Sequence, residues 1–439
     1  MKITDKLVRS PAFQRARLTS LHNLVKSKNL KKYYQSLTDF YFLKAKINHP
    51  ELGVQALIND YDLIDELELA EYPEYNYSKV KVLKLIQGAL RLSAHILNED
   101  KTQLVGQLLI RLQYFQIPEI QTILKQAIQS KAKPWLRPLS ASLTPPGGRL
   151  LRTLTGHSGA VSAVRVTSNG KYLISASKDN TIKVWNLQTS EEFFTFSGHS
   201  DWVLSLAITP DSKQVISGSK DKTIKVWSLE TRKELFTLKG HTRQINALAV
   251  TSDGKQVISG SEDCTFRIWD LQRKQEVFSS YTHGDYITAL TIIPDSKKII
   301  FAISNTQIIV WSLLYSKRIL TLKGHKDTVS GLAVTPDGKK LISGSWDKTL
   351  KIWNLETTIF PFQRLLFTLE GHSNRITAVV ITPDGKRIIS DSLDNTLKVW
   401  DLHSLQELFP LKEHTDEINP LAVTPDGRWL ISGSEDNSI

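Results

Sequence analysis

The sequence contains very little cysteine and no long apolar segment. Cys264 is the only cysteine among 439 residues, which excludes an intramolecular disulfide and fits a reducing compartment. No apolar run approaches the roughly 18–20 residues that a membrane-spanning helix needs, and the N-terminal segment lacks the apolar stretch of a secretory signal. The hydrophobic content of 41% is ample for sizeable cores. These features predict a soluble, cytoplasmic protein with no membrane association.

The residue patterns that catalysis or cofactor binding would need are also missing. The sequence has no GxxxxGK[ST] phosphate-binding loop, since its DGK triplets fall within predicted turns. His22, His49 and His95 are scattered and have no cysteine nearby, so they assemble neither a nucleophilic site nor a metal cluster. We therefore expect no enzyme activity, no metal site and no cofactor.

The formal net charge of +12 is unevenly distributed. Residues 1–46 carry a net +9 and residues 51–74 a net −8, whereas residues 150–439 carry only +3. The basic tract holds Arg15, Arg17, Lys26, Lys28, Lys31, Lys32, Tyr33 and Tyr34. A solvated or internally compensated surface is the favoured interpretation. Nucleic-acid or acidic-surface binding through these 46 residues remains the alternative function.

The second two-thirds of the chain is a repeat. Histidines recur at positions 157, 199, 241, 283, 325, 372 and 414, and a tryptophan follows each of the first six after 28 residues. Within residues 198–239 the runs VLSLAI, QVISGS, TIKVWSL and ELFTL are rich in β-branched residues and are separated by turn residues. Four short strands in about 42 residues, repeated, predict the blades of a β-propeller.

The Gly-His and Trp-Asp type dipeptides of these units, GH…VW[NSD]L, resemble the WD-repeat family from about residue 148 onward. The resemblance implies a seven-bladed propeller. It also implies that the His, Ser, Asp and Trp of each unit form a buried hydrogen-bond network linking the strands, because buried polar groups need partners. A hydrolytic triad is rejected, since a nucleophilic site is built once and not once per blade. The expected network residues are His157, Ser175, Asp179, Trp185, His199, Ser217, Asp221, Trp227, His241, Ser259, Asp263, Trp269, His325, Ser343, Asp347, Trp353, His372, Ser390, Asp394 and Trp400.

Two units depart from the pattern. Unit four has Phe301 in place of Ser and Asn305 in place of Asp, which predicts a rearranged network. The last unit has His414, Ser432 and Asp436, but residue 439 comes before its tryptophan would occur. We expect a truncated last blade in which the segment 148–156 lies parallel to the second strand or leaves an open edge.

Residues 12–130 show helical periodicity, with predicted helices at 53–70, 80–98, 102–115 and 118–129. An antiparallel bundle and a stack of helical hairpins both fit. The stretches LTDFYFLKAKINHPELGVQALINDYDLI and KPWLRPLSASLTPPGGRLLRTLTGH resemble the segment between the NB-ARC module and the WD repeats of bacterial, including cyanobacterial, STAND and apoptotic-activator-like signalling ATPases. The expected fold is thus α+β multidomain: a helical domain at 1–130, a Pro/Ser/Gly linker at 131–147 and the propeller at 148–439.

The resemblance to WD repeats also implies where a partner binds. In that family, contacts gather on the face where the inner strands begin, at positions three and five after the histidine and one before the turn aspartate. The candidates at these positions, whose aromatic and Arg members are typical of binding hot spots, are Trp202, Leu204, Tyr286, Trp346, Arg375 and Leu393. Packing of both tryptophans on neighbouring blades is the alternative.

The sequence therefore favours a non-catalytic protein–protein interaction scaffold or sensor. A protein or peptide would bind the propeller face, and the resemblance implies a role as the sensor part of a STAND-type system. An apolar knob at 357–364 on the opposite face is a further docking candidate.

Overall fold

The computed structural model describes residues 21–27, 29–63, 77–130, 151–282, 284–356, 364–411, 414 and 416–439. The chain divides into two compact units, Met1–Leu154 and Thr155–Ile439. The predicted linker 131–147, His283 and residues 357–363 of the predicted knob lie outside the described residues. The sequence-based domain boundaries therefore stay predictions.

The regular secondary structure of the first unit is entirely helical in its described ranges. Its helices are α1 Leu21–Lys26, α2 Leu30–Leu37, α3 Phe40–Asn48, α4 Gly53–Asp62, α5 Tyr77–Glu99, α6 Leu104–Leu112 and α7 Pro118–Gln129, with a 3₁₀ turn at Lys101–Gln103. Leu83, Ile86 and Leu90 of α5 are fully buried, because their spacing places them on one face of the helix. Contacts between α3 and α7 and between α5 and α7 join helices that are distant in sequence, which favours a bundle over a linear stack. No helix among the described residues is long and apolar enough to cross a membrane.

The second unit consists of β-strands. Six repeat units each form a four-stranded antiparallel sheet, here called a blade, with its strands in chain order. Blades one to three contain β1 Val161–Val166, β2 Tyr172–Ser177, β3 Thr181–Asn186, β4 Glu192–Ser197, β5 Val203–Ile208, β6 Gln214–Ser219, β7 Thr223–Ser228, β8 Lys233–Lys239, β9 Ile245–Val250, β10 Gln256–Ser261, β11 Thr265–Asp270 and β12 Gln275–Tyr281. Blades four to six contain β13 Ile287–Ile292, β14 Lys298–Ile303, β15 Ile308–Ser312, β16 Lys317–Leu322, β17 Val329–Val334, β18 Lys340–Ser345, β19 Thr349–Asn354, β20 Leu365–Glu370, β21 Ile376–Ile381, β22 Arg387–Ser392, β23 Thr396–Asp401 and β24 Glu407–Leu411.

The last sheet has only two strands, β25 Ile418–Val423 and β26 Leu430–Ser434. The expected count of seven blades is therefore not confirmed, because the last unit contributes two strands instead of four. The first strands of successive sheets contact one another in the order β1, β5, β9, β13, β17, β21 and β25, and β25 also contacts β1. The first strands are thus innermost, and the sheets form a closed β-propeller ring.

The closure of this ring differs from the sequence-based expectation. Thr155 forms an antiparallel bridge with Ser438, so the segment before blade one does not lie parallel to the second strand of the last sheet. In blade one Thr181 pairs with Ser197, two residues before the next histidine. Thr155 stands at the corresponding place before His157. The bridge therefore repeats the register that joins the third and fourth strands of complete blades.

In five repeat units, the glycine before the histidine lies against the tryptophan of the same unit. A Cβ atom on Gly198 would lie 3.1 Å from Cη2 of Trp227, and one on Gly240 would lie 2.9 Å from Cη2 of Trp269. A side chain at this position would push the indole out of its buried place. Blade four has Thr282 at the corresponding position.

The turn between the second and third strands has a left-handed residue directly after its aspartate, or after Asn305 in blade four. These residues are Asn180, Lys222, Cys264, Thr306, Lys348, Asn395 and Asn437, with φ between 60° and 75°. A residue in this conformation allows the chain to reverse direction in a tight turn between two antiparallel strands.

Candidate interaction face of the propeller

Two residues of every repeat unit lie side by side at one end of the ring. The backbone N–H of the residue before the turn aspartate or its equivalent donates to the carbonyl of the residue three after the histidine, at 2.9–3.0 Å. The pairs are Lys178 with Ala160, Lys220 with Trp202, Glu262 with Gln244, Ser304 with Tyr286, Trp346 with Thr328, Leu393 with Arg375 and Glu435 with Glu417. This end, where the first strands begin, is called the candidate face below.

Trp202 is an exposed aromatic residue on the candidate face. Its side chain is 40% exposed. The Nζ atom of Lys220 lies 4.0 Å from the centre of its ring and that of Lys178 lies 5.2 Å from it. These distances are those of cation–π contacts, which hold the indole in place while leaving it accessible.

A second cation–π contact joins Trp346 and Arg375. The guanidinium carbon of Arg375 lies 4.4 Å from the centre of the partly buried Trp346 ring. Arg375 begins blade six and Trp346 lies in the turn of blade five. Trp202 likewise begins blade two and Lys178 lies in the turn of blade one. The two pairs thus occupy equivalent joints of the ring, with the aromatic and cationic positions exchanged.

These contacts bear on the alternative that both tryptophans pack on neighbouring blades. Trp202 contacts Lys178 of the preceding blade, and Trp346 contacts Arg375 of the next blade. The contact is made by a cation, and Trp202 keeps a large exposed fraction. The two tryptophans thus pack on neighbouring blades and also remain at least partly exposed on the candidate face. Their role in binding a partner stays a prediction.

The other candidates on this face differ in exposure. Tyr286 is 39% exposed. Leu204 and Leu393 are half-buried, and the Leu393 carbonyl accepts a hydrogen bond from Nδ2 of Asn374 at 3.0 Å. An aromatic ring and two partly exposed leucines thus add apolar area to the two cation–π pairs.

The positions five after the histidine mostly link blades to one another. Thr288 Oγ1 donates to the Val329 carbonyl at 2.6 Å and Asn246 Nδ2 to the Ile287 carbonyl at 2.9 Å. Ser162, Ser330 and Thr377 donate in the same way to the next blade. Blade two has Leu204 instead, and the neighbouring Ser205 supplies the bond to the Ile245 carbonyl at 3.2 Å. Because these polar side chains form hydrogen bonds to the next blade, they are less available to bind a partner.

The charged residues of the face are partly paired. Lys178 Nζ lies 2.6 Å from Oε1 of Glu435, which also accepts from Asn419 Nδ2 at 2.9 Å. Glu262 accepts from Gln244 Nε2 at 3.0 Å. The stacking lysines Lys178 and Lys220 were not among the sequence-based candidates, although their place before the turn aspartate was the available signal.

Behind this face, five complete blades contain the same four-residue arrangement. In blade two His199 Nδ1 lies 2.7 Å from Asp221 Oδ2, and His199 Nε2 lies 2.8 Å from Ser217 Oγ. Trp227 Nε1 donates to Ser217 Oγ at 2.8 Å. The donors form a consistent chain if the Ser hydroxyl donates to Nε2 and Nδ1–H donates to the carboxylate, a tautomer assigned from the contacts. The same contacts occur for His157, Ser175, Asp179 and Trp185, for His241, Ser259, Asp263 and Trp269, for His325, Ser343, Asp347 and Trp353, and for His372, Ser390, Asp394 and Trp400.

The aspartates of this arrangement are held as carboxylates. Burial alone would raise the pKa of Asp221, but hydrogen bonds from His199 and Thr223 outweigh it and keep that pKa well below its usual range. The backbone N–H of Ser200 adds a further donor at 3.1 Å. The arrangement therefore fixes the turn that carries the candidate face.

Blade four lacks this arrangement. Trp311 Nε1 is buried and has no hydrogen-bond partner among the described residues, because Phe301 replaces the serine. Phe266 of blade three packs against both Phe301 and Trp311, with ring centres 5.2 and 5.1 Å away. Asn305 Nδ2 donates to Asp285 Oδ2 at 2.6 Å. An aromatic cluster thus takes the place of the polar contacts.

Blade six carries a buried acid that the sequence pattern did not reveal. Asp391 is fully buried where the other sheets have Ala176, Gly218, Gly260, Ala302, Gly344 and Gly433. Its Oδ1 atom contacts Thr377 Oγ1 at 2.7 Å and the backbone N–H of Ala378, while Oδ2 has no partner among the described residues. Burial raises its pKa well above the usual value.

The helical unit bears on the alternative of nucleic-acid binding. Arg15, Arg17 and Lys28 lie outside the described residues, whereas Lys31 and Lys32 are exposed. Tyr33 is fully buried and its hydroxyl donates to the Asp60 carbonyl at 2.6 Å, so it cannot stack on a base. Lys46 is buried and ion-paired with Asp60. The basic tract therefore offers fewer accessible groups than its sequence implies.

Comparison with known proteins agrees with this architecture. The profile of the family "WD domain, G-beta repeat" matches residues 148–186, 190–228, 232–270, 316–354, 363–401 and 405–439, slightly more than half of the chain. The chain belongs to the WD-repeat family. The matched ranges of this WD-repeat protein omit residues 271–315, which contain β12 and the first three strands of blade four, where Thr282 and Phe301 replace the usual glycine and serine.

Several curated proteins are similar over part of the chain. NACHT domain- and WD repeat-containing protein 1 of Homo sapiens is 27% identical over 191 residues, which is 33% of this chain and 12% of that protein. Apoptotic protease-activating factor 1 of Rattus norvegicus is 45% identical over 49 residues, or 11% of this chain and 4% of that protein. Nuclear distribution protein nudF of Emericella nidulans is 52% identical over 40 residues, 9% of each chain. The chain thus spans about an eighth or less of these relatives, and its relation to STAND-like proteins is partial.

Proposed function

We propose that this WD-repeat protein is a non-catalytic interaction scaffold or sensor that captures a protein or peptide on the candidate face. WD-repeat propellers generally serve as binding scaffolds, which supports the general role. The observation that carries the specific proposal is the pair of cation–π joints, Trp202 with Lys178 and Trp346 with Arg375. Tryptophan and arginine held in fixed positions and accessible from solvent are typical of the few residues that dominate binding energy.

Substitution of the two joints tests this proposal. Peptides selected by phage display against the full chain are titrated against Trp202→Ala and Arg375→Ala, each expected to weaken binding about tenfold or more because a hot-spot contact is lost. Tyr315→Ala is the matched control, since Tyr315 is 68% exposed but lies in the turn between β15 and β16 at the opposite end of the ring. Thermal unfolding of each variant reports whether the fold is retained. Equal binding by the three folded variants would refute the proposal.

A sensor role in a cytoplasmic STAND-type signalling system is the finer part of the proposal. It is supported by the sequence stretches that resemble the segment preceding WD repeats in such ATPases, and by the partial similarity to proteins whose names contain NACHT or apoptotic activation. Sequencing the genome on both sides of this reading frame tests it. A neighbouring P-loop ATPase module is expected; its absence would remove the signalling role and leave the interaction role standing.

A further inference from the structure

Lys178, Trp202 and Lys220 form a compact group on the candidate face, here called the basic–aromatic cluster. Both ammonium groups lie within 5.2 Å of the centre of one indole ring. Each positive charge beside the partly apolar indole is stabilised by a nearby anion. The cluster therefore carries positive charge that a bound anion would neutralise.

Within the part of the chain that the structure describes, only one of the two lysines has an acidic partner. Lys178 is paired with Glu435, at 2.6 Å. Lys220 forms no ion pair with any residue that the structure describes, and it is half-buried against the indole. A carboxylate from outside would pair with Lys220 as Glu435 pairs with Lys178.

The geometry points to an acidic peptide side chain as the ligand of the basic–aromatic cluster. We infer that a Glu or Asp of the captured partner places its carboxylate at Lys220 and rests its methylene groups on Trp202. This inference rests on the proposed function and names the chemistry of the partner at one part of the face. The carboxylate of Glu435 already shows that such a group fits beside the cluster.

The surroundings favour a peptide over a nucleic acid. Glu262 lies in the turn of the next blade, and Glu417 and Glu435 lie on the last sheet, on the other side of the cluster. The positive charge of Lys178 and Lys220 is therefore flanked by acids on both sides, and Arg375 lies apart from it on blade six. A nucleic-acid backbone needs a longer basic track, because its phosphates repeat along the strand.

Glu435 is an internal competitor for the incoming acid. Because it neutralises Lys178, it lowers the positive potential that a second carboxylate meets. Replacement of Glu435 by Gln retains the bond from Asn419, since Gln also has an oxygen acceptor, and releases the charge of Lys178. The variant is expected to bind acidic peptides more tightly, which a merely structural role of Glu435 does not predict.

Fluorescence anisotropy with defined peptides tests the inference on the full chain. The probe is a short fluorescein-labelled peptide of Glu-Gly-Ser repeats, compared with the same peptide carrying Gln in place of Glu. The Glu peptide is expected to bind more tightly than the Gln peptide. Lys220→Gln should weaken binding of the Glu peptide about threefold to fivefold, and Glu435→Gln should strengthen it by a similar factor, as for a partly exposed ion pair.

Lys222→Gln is the matched control, because Lys222 is exposed in the same turn and loses the same charge but does not lie over Trp202. It should leave the affinity unchanged. Equal effects of Lys220→Gln and Lys222→Gln, equal binding of the Glu and Gln peptides, or no binding to wild type would each overturn the inference. So would tighter, Lys220-dependent binding of a single-stranded DNA oligonucleotide. Display-selected peptides that need Arg375 but not Lys220 would overturn it while leaving the proposed function intact.

Discussion

Asp391 is a buried carboxyl at a position where a small side chain suffices in every other sheet. The hydroxyl of Thr377 contacts both Asp391 Oδ1 and the Ile418 carbonyl, at 2.7 and 2.8 Å, but it has only one proton to donate. A protonated Asp391 donates to Thr377, which then donates to Ile418. Burial raises the pKa of Asp391, which is the direction that favours this protonated form at the joint between blade six and the last sheet.

A buried acid whose pKa is raised by folding makes stability depend on pH. Since the pKa of Asp391 is higher in the folded protein than in the unfolded chain, the folded state binds more protons, and the free energy of unfolding falls as pH rises above about 4. Asp391→Ala, which introduces the residue of blades one and four, should remove this part of the pH dependence. Thermal midpoints measured from pH 5 to pH 8 check it. Identical pH profiles for the variant and wild type would contradict the assignment.

Within single blades, the buried aspartates have the opposite effect. The pKa of Asp221 lies below its value in the unfolded chain, so its contribution to stability is present above about pH 4 and is lost as pH falls below that value. Asp221→Asn should therefore lower stability at neutral pH and lessen the loss on acidification. Urea unfolding at several pH values measures both effects, with the exposed Glu230→Gln as control. A variant that loses as much stability in acid as wild type would argue against this role.

Blade four balances a missing hydrogen bond against aromatic packing. Phe301→Ser would give Trp311 Nε1 an acceptor but would remove the ring that contacts Phe266. The lost packing, about 3–5 kcal/mol for a buried Phe, outweighs the bond gained, about 1 kcal/mol. The variant should thus lower the free energy of unfolding by roughly 2–4 kcal/mol in urea titrations. A gain in stability would show that the polar arrangement is preferred there too.

Sequence reasoning was most accurate for the positions of the strands and helices. The runs predicted within residues 198–239 correspond to the strands Val203–Ile208, Gln214–Ser219, Thr223–Ser228 and Lys233–Lys239. The helix predicted at 80–98 corresponds to Tyr77–Glu99. Both patterns are local, because side-chain period follows backbone geometry. The contacts Lys178–Trp202 and Asp391–Thr377 could not be predicted, since they depend on residues brought together only when blades or strands pack.

For the whole molecule, the joint between the last sheet and blade one decides whether the ring stays closed. A Cβ atom on Gly433 would lie 2.6 Å from Cγ1 of Val161 and 2.8 Å from Cγ of Pro420. This joint is also crossed or flanked by contacts of β25 with β1, of Thr155 with Ser438 and of Lys178 with Glu435. The sequence predicted a propeller, but the register of this closure follows only from the folded ring.

Gly433→Val should strain that joint. The added methyl groups have no room against Val161, so we expect a loss of about 1–3 kcal/mol in the free energy of unfolding. Gly106→Ala in α6 is the control, because its Cβ would meet only Gln103 Oε1 at 3.8 Å and should add roughly 0.5–1 kcal/mol of helix stability. Denaturant titration measures both variants. An unchanged midpoint for Gly433→Val would show that the joint can relax.

The left-handed turn of blade three contains Cys264, the single thiol of the chain. It directly follows Asp263 and lies two residues after Glu262 of the candidate face. Burial and the charges of Asp263 and Asp285 raise the pKa of this thiol, so its coupling to a maleimide at neutral pH will be slow. The unaltered protein can therefore carry one fluorescent or spin label at a known place on the rim, and partner arrival can be followed by spectroscopy without any engineered residue.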